Sequence, residues 1–166
     1  MKVKAYVLFV AVALLAVSAG TPKAKPTVGA NPGDLAPRIE SLGNESNFSF
    51  QNQSRRYTLL HFWAAYDAES RARNIRLWNE VNKLDSSKIA MYSISLDEKE
   101  SVFAETVKAD GLEGTKQFHE GLGKESEVFG KYGLQKGFRN FLINEKGVII
   151  AANVTPENLT KMLNQI

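Results

Sequence analysis

Cysteine is absent from all 166 residues, and that single absence excludes several chemistries at once. No disulfide, thiolate nucleophile, cysteine-held zinc or iron–sulfur cluster can be built from this chain alone. Histidine is scarce: His61 and His119 are the only two, and neither stands in a spaced pair with a second imidazole or a carboxylate of the kind that binds metal. No metal or cofactor is expected on these grounds. The 12 Gly and 5 Pro are ordinary numbers, so a collagen-like or low-complexity chain is excluded.

A surplus of one charge is also missing from most of the chain. The formal charge of +3 arises near the start: setting aside Lys2, Lys4, Lys23 and Lys25 leaves 17 basic against 18 acidic residues from Asp34 onward. A nucleic-acid-binding face needs concentrated positive charge to displace phosphate counterions. Arg71, Arg73 and Arg76 are close in sequence but interleaved with a helix pattern, so no nucleic-acid partner is expected.

What is present begins with a leader. Lys2 and Lys4 precede an unbroken apolar run from Ala5 to Val17, and Val17-Ser18-Ala19 then offers the small residue a signal peptidase requires. The run is shorter than the roughly 18 residues of a membrane span and within the roughly 7 to 15 of a signal core. Residues 1–19 therefore read as an export signal cleaved before Gly20, which implies a periplasmic or secreted protein with no membrane span after cleavage. An uncleaved anchor is the weaker alternative, because Gly20-Thr21-Pro22 ends the run abruptly. The segment also resembles a bacterial lipoprotein signal in which Gly20 stands where the lipid-bearing Cys would be, so no lipid anchor is expected. Residues 20–33, with Pro and Gly at turn-forming frequency, read as a flexible linker ahead of one domain over 34–166.

From Asp34 strand and helix patterns alternate, the order of a sheet covered by helices. Short strands are predicted at Phe48 to Phe50, Tyr57 to Phe62, Ile89 to Ser95, Phe141 to Ile143 and Val148 to Ala151. Ala68, Ala72, Ile75, Trp78, Val81 and Leu84 recur at helical spacing and predict an amphipathic helix with that stripe facing the core. Asp97 and Glu100 match a capping box ahead of a helix containing Val102, Phe103 and Val107. Residues 111–125 read as irregular. Val128, Phe129 and Tyr132 predict a short helix ended by Gly133, and Asn144-Glu145-Lys146-Gly147 a hairpin turn. Thr155 as cap and Pro156 at the first helical position open a last helix with Leu159, Met162, Leu163 and Ile166 inward.

Four pieces in order resemble the exported thiol-disulfide oxidoreductases and alkyl hydroperoxide reductases of the thioredoxin-like superfamily: Gly33-Asp34-Leu35-Ala36-Pro37, Leu60-His61-Phe62-Trp63-Ala64-Ala65-Tyr66, Tyr132-Gly133-Leu134, and Phe141-Leu142-Ile143-Asn144-Glu145-Lys146-Gly147. The resemblance implies an α/β three-layer sandwich with a mixed central sheet and helices on both faces. It also places the family's Cys-x-x-Cys on Asp67-Ala68-Glu69-Ser70, its cis-proline on Phe138 in Gly137-Phe138-Arg139-Asn140, and a helix-kinking proline on Ile75. A carboxylate and a hydroxyl cannot perform thiol-disulfide exchange, and peroxide reduction through a sulfenic acid fails for the same reason. A trans bond is expected before Phe138, because a cis bond ahead of a non-proline residue costs about 2.5 to 4 kcal/mol.

Each candidate residue has a plain structural reading beside a functional one. Asp67 fits a helix N-cap, with a catalytic carboxylate as the alternative. Ser70 would need a nearby base to act as a nucleophile. His61 fits a core strand position, and Asp97 with Glu98 fits capping better than cation binding. Tyr66 and Phe138 form either an exposed aromatic patch or, with Phe138 turned inward, a filled loop. Trp63, Tyr66, Asp67, Gly137 and Phe138 are the candidate partner surface. Asn-x-Ser/Thr triplets at Asn44, Asn47, Asn52, Asn153 and Asn158 matter only in a eukaryotic secretory pathway.

Three functions follow as expectations. The first is a redox-inactive, thioredoxin-like protein of the bacterial envelope that binds a peptide or protein through the former active-site surface. The second is an oxidoreductase or peroxidase-family protein whose thiols a partner supplies, or a Cys-less form of one. The third is a hydrolase built on Ser70 with Asp67 or His61.

Overall fold

The computed structural model describes residues 25–42, 45–48, 50 and 56–165. The export signal, Gly20, Asn44, Asn52 and Ile166 lie outside them. Among the described residues, β1 (Ile39–Leu42) and β2 (Glu45–Phe48) form an antiparallel ribbon with Ile39 opposite Phe48. β3 (Tyr57–Trp63), β4 (Ile89–Ser95), β5 (Gln117–His119), β6 (Asn140–Ile143) and β7 (Ile149–Ala152) form a sheet in the order β5-β4-β3-β6-β7. β3, β4 and β5 run parallel, whereas β6 and β7 pair antiparallel, so the central sheet is mixed. The α-helices are α1 (Ala68–Val81), α2 (Glu100–Ala109), α3 (Glu127–Lys131) and α4 (Pro156–Leu163).

β3 and β4 sit in the middle because both faces of their pleat carry large apolar residues. Residues 58–63 and all of Ile89–Ser95 are buried, which only a strand covered on both faces tolerates. The pleat then sorts the side chains. On one face Leu60, Phe62, Tyr92, Ile94, Phe141 and Ile143 pack with Val128 and Tyr132 beside α3 and with Ile39 and Phe50. On the other, Leu59, Met91 and Leu142 meet Leu77 and Val81 of α1 and Leu159 of α4, while Trp63 meets Val107, Phe103 and Ile75.

Between those two apolar groups the second face carries a polar row. His61 is in register with Asn140 on one side and Ser93 on the other, and Ser93 with Gln117. α1 lies over this row, and its buried residues are Ser70, Asn74, Leu77 and Val81. The predicted stripe is thereby corrected at its first two positions: Ala68 and Ala72 are exposed, because the N-terminal half of the helix meets the sheet through polar residues, whereas Ile75, Trp78, Val81 and Leu84 pack inward as read. Asn74 accepts from the Ser93 hydroxyl and donates to Gln117 Oε1 at 2.9 Å.

Two strands appear where none was read. β1 lies ahead of the strand expected at Phe48 to Phe50, which is corrected to Glu45–Phe48 with Phe50 outside it, and β5 lies within the stretch taken as irregular. Residues 27–36 are tied to the β6–β7 hairpin: Gly33 N donates to Ile149 O, Ile149 N to Asp34 O and Ala36 N to Gly147 O, at 2.8, 2.8 and 2.9 Å. The hairpin turn forms as read, with Asn144 Oδ1 accepting from Lys146 N and Val148 N and Gly147 at φ 79°. Gly133 at φ 65° follows α3, and Thr155 caps α4 by accepting from Asn158 N at 3.3 Å.

Candidate functional site

The three parallel strands end level with one another, since Trp63 is in register with Ser95 and Ser95 with His119. Their following loops therefore share one end of the sheet, where ligands of open α/β sheets gather. α1 starts here. Asp67 is its N-cap, in extended backbone, and its Oδ1 accepts from Ser70 N at 2.8 Å. Its backbone oxygen accepts from the Ser70 hydroxyl at 3.1 Å and from Arg71 N at 3.0 Å. The carboxylate thus stabilises the helix start and faces the positive end of its dipole.

Ser70 is buried. Its hydroxyl is occupied by Asp67 O and by Ala64 N at 3.4 Å, and its carbonyl accepts from His61 Nε2 at 3.0 Å. His61 is fully enclosed, and burial pushes its pKa down to about 4, so the ring is neutral and its one proton is committed to that carbonyl. His61 Nδ1 is buried without a partner. Among the described residues no base faces the Ser70 hydroxyl, and the geometry of a Ser–His nucleophile is not formed.

Asp97 overturns the capping-box expectation. The residue capping α2 is Lys99, with no side-chain bond, and Asp97 points away from the helix into the protein. At 3% exposure its carboxylate accepts from Ala65 N through both oxygens, at 3.0 and 2.9 Å, and from the Ser95 hydroxyl at 2.7 Å. Its own carbonyl accepts from His119 Nε2 at 2.6 Å, and the His119 ring stacks on Phe103 at 5.3 Å. Asp97 therefore fixes the loop between β3 and α1. Glu98 beside it is exposed.

The surface residues divide. Trp63, read as part of the partner surface, is completely buried beside Phe103 and lies beneath that surface. Tyr66 is 64% exposed. Phe138 follows Gly137, which is exposed at φ 111°, and every described peptide bond is trans. Both readings of Phe138 hold in part: the ring is half-buried against the core, and it also meets Tyr66 with 6.0 Å between centroids. Nearby carboxylates (Asp97, Asp67 and Glu98) add to partial burial in raising the Tyr66 pKa.

Asp67, Ser70, Gly137 and Phe138 line one cleft of about 670 Å³ together with Asn31, Glu69, Arg73, Lys136, Arg139 and Asn153. The last six were not anticipated as a group. The Lys136-Gly137-Phe138-Arg139 run was a visible cue, because two cations flank the loop already singled out. Among the described residues no three His, Asp or Glu side chains converge as metal ligands, and no helix is long and apolar enough to cross a membrane.

No protein-family profile matches the chain, and no curated protein matches it. Solved structures do. A thioredoxin-like protein from Parabacteroides distasonis is 68% identical, over 84% of this chain and 99% of that one, with a TM-score of 0.78. A thiol-disulfide oxidoreductase from Bacteroides fragilis is 29% identical over 80% of this chain and 98% of its own, with a TM-score of 0.65. The thioredoxin domain of a thiol-disulfide oxidoreductase from Bacteroides vulgatus, 20% identical over 81% and 96% with a TM-score of 0.68, shares the fold. The mixed sheet, the helix opening at Asp67 and identity across nearly the whole of one such protein lead to one conclusion: this chain belongs to the thioredoxin-like family, with no cysteine at the positions where thiol chemistry would occur.

Proposed function

We propose that the protein is an exported, redox-inactive thioredoxin-like module of the bacterial envelope that binds a peptide or protein segment at the cleft beside α1. The observation that carries this reading is the pairing of an open cleft of about 670 Å³ with the exposed Tyr66 and half-buried Phe138, at the site where Asp67 and Ser70 stand in place of thiols. A concave surface with an aromatic ledge at the C-terminal end of parallel strands is suited to ligand capture. Export is supported by the basic start and the Ala5–Val17 run. For the oxidoreductase reading the chain supplies a capping carboxylate and a buried hydroxyl, neither of which exchanges with a disulfide.

The test joins two measurements. Insulin-disulfide reduction with dithiothreitol is expected to stay at the uncatalysed rate, whereas an Asp67→Cys/Ser70→Cys/Phe138→Pro variant gains activity. A peptide array should at the same time yield ligands whose binding is lost in Tyr66→Ala. Reductase activity in the native chain, or no peptide bound, overturns the proposal.

A further inference from the structure

The cleft is lined by charges that are not equally free. Arg73 is committed twice, to Glu69 and to Phe138 O at 3.4 Å. Glu69 is correspondingly neutralised, and Asp67 is held by Ser70 N at the positive end of α1. Lys136 and Arg139 remain: among the described residues neither is in an ion pair. Lys136 is exposed, and the Arg139 guanidinium is steadied over the Phe141 ring at 5.2 Å, so its charge is positioned without being cancelled.

These two cations bracket Gly137-Phe138, and the Phe138 ring continues into Tyr66. One wall of the cleft therefore presents an apolar ledge and uncompensated positive charge side by side. The lining adds uncharged polar groups. Asn153 joins it from the end of β7, and it holds a left-handed backbone, φ 54°, that glycine adopts more cheaply. A ligand that complements this wall has an apolar side chain next to a carboxylate.

We infer that the cleft, if it is the peptide site proposed above, selects acidic segments: an apolar residue seated on Tyr66 and Phe138, with a neighbouring carboxylate between Lys136 and Arg139. The carboxylate comes either from an Asp or Glu side chain or from a chain terminus. Selection then rests on charge as well as on the aromatic ledge, and a basic peptide of the same apolar content is rejected by the same pair of cations.

The test uses fluorescence anisotropy with four labelled peptides of one length. One carries Phe next to internal Asp residues with an amidated end, one has those Asp residues changed to Asn, one has Asn with a free C-terminal carboxylate, and one has Lys. The expected result is binding of the first or third at least tenfold tighter than the second, little or no binding of the fourth, and weakening with added salt. Which of the first and third binds more tightly identifies the carboxylate's source. Lys136→Ala and Arg139→Ala should each lower affinity for the acidic peptide several-fold and so narrow its advantage over the amidated Asn peptide. Equal binding of all four overturns the selectivity while leaving peptide capture standing. Binding of none overturns peptide capture and the selectivity with it. Because the first contrast changes only the peptide, it does not depend on any variant folding.

Discussion

The two faces of the central sheet are built on opposite principles. Beneath α3 the strands present Leu60, Phe62, Tyr92, Ile94, Phe141 and Ile143, a continuous apolar layer reinforced by the Phe62–Tyr132 and Tyr132–Phe141 ring contacts at 4.8 and 5.2 Å. Beneath α1 the same strands present the row Asn140, His61, Ser93 and Gln117. The first face gains from area removed from water and has no directional requirement. The second has apolar contacts at either end, but its middle row gains only while the polar groups there find one another. It does not fully succeed, since His61 Nδ1, Trp63 Nε1 and Gln117 Nε2 are all buried without partners. The lesson is that the site end of the molecule rests on its more conditional face: α1, which opens at Asp67, is anchored through Ser70 and Asn74 to groups that water would also satisfy.

The comparison can be pressed from both sides. Phe62→Ala on the apolar face should cost about 4 kcal/mol, read from urea unfolding, because a fully buried ring leaves a cavity among rigid neighbours. On the polar face acid should act where it does not act on the other. With its pKa near 4 in the folded chain and 6.5 when exposed, His61 binds its proton preferentially in the unfolded state, so stability present above pH 6.5 is lost as the pH falls toward 4. The loss approaches about 3 kcal/mol. His61→Leu should flatten that slope between pH 4 and 6.5, and an unchanged slope would show that the imidazole is not its source.

Two smaller effects sharpen the contrast. Asn140→Ala should cost about 2 kcal/mol, since Val154 N and Val154 O lose the partners they now have at 2.7 and 3.0 Å inside the protein. Asp67→Ala should cost about 1 kcal/mol, the usual loss on removing a cap, while Asp67→Asn retains most of it. If Asp67→Ala proved as costly as Phe62→Ala, the view of Asp67 as a cap would be inadequate.

The sequence was most legible where local pattern and tertiary role agree. β3 and β4 could be read because apolar residues fill both faces, and α4 because Thr155-Pro156 states its start. The α1 stripe was legible from Ile75 onward, where Ile75, Trp78, Val81 and Leu84 pack inward, but not in its first turns: periodicity ranks side chains by oiliness, and there Ser70 and Asn74 point inward while Ala68 and Ala72 do not. β5 was hidden because Phe118 is its single large apolar residue and its pairing with β4 is supplied by a strand over twenty positions earlier. Asp97 satisfied a residue-type pattern for capping, yet its partner is Ala65 N, which no local window contains. Of the site, the Asp67 and Phe138 positions were legible through motif spacing. The cleft needed the fold, since Asn31 and Asn153 come from opposite ends of the chain.

The backbone bonds between residues 33–36 and the β6–β7 hairpin have a consequence for how copies of this chain meet. A sheet polymerises edge to edge only when two usable edges are open. Here the start of β7 is shielded by the chain's own N-terminal segment, and the opposite margin, β5, is only three residues long. Among the described residues, strand addition at either margin is thereby left only a short run of backbone groups to pair with.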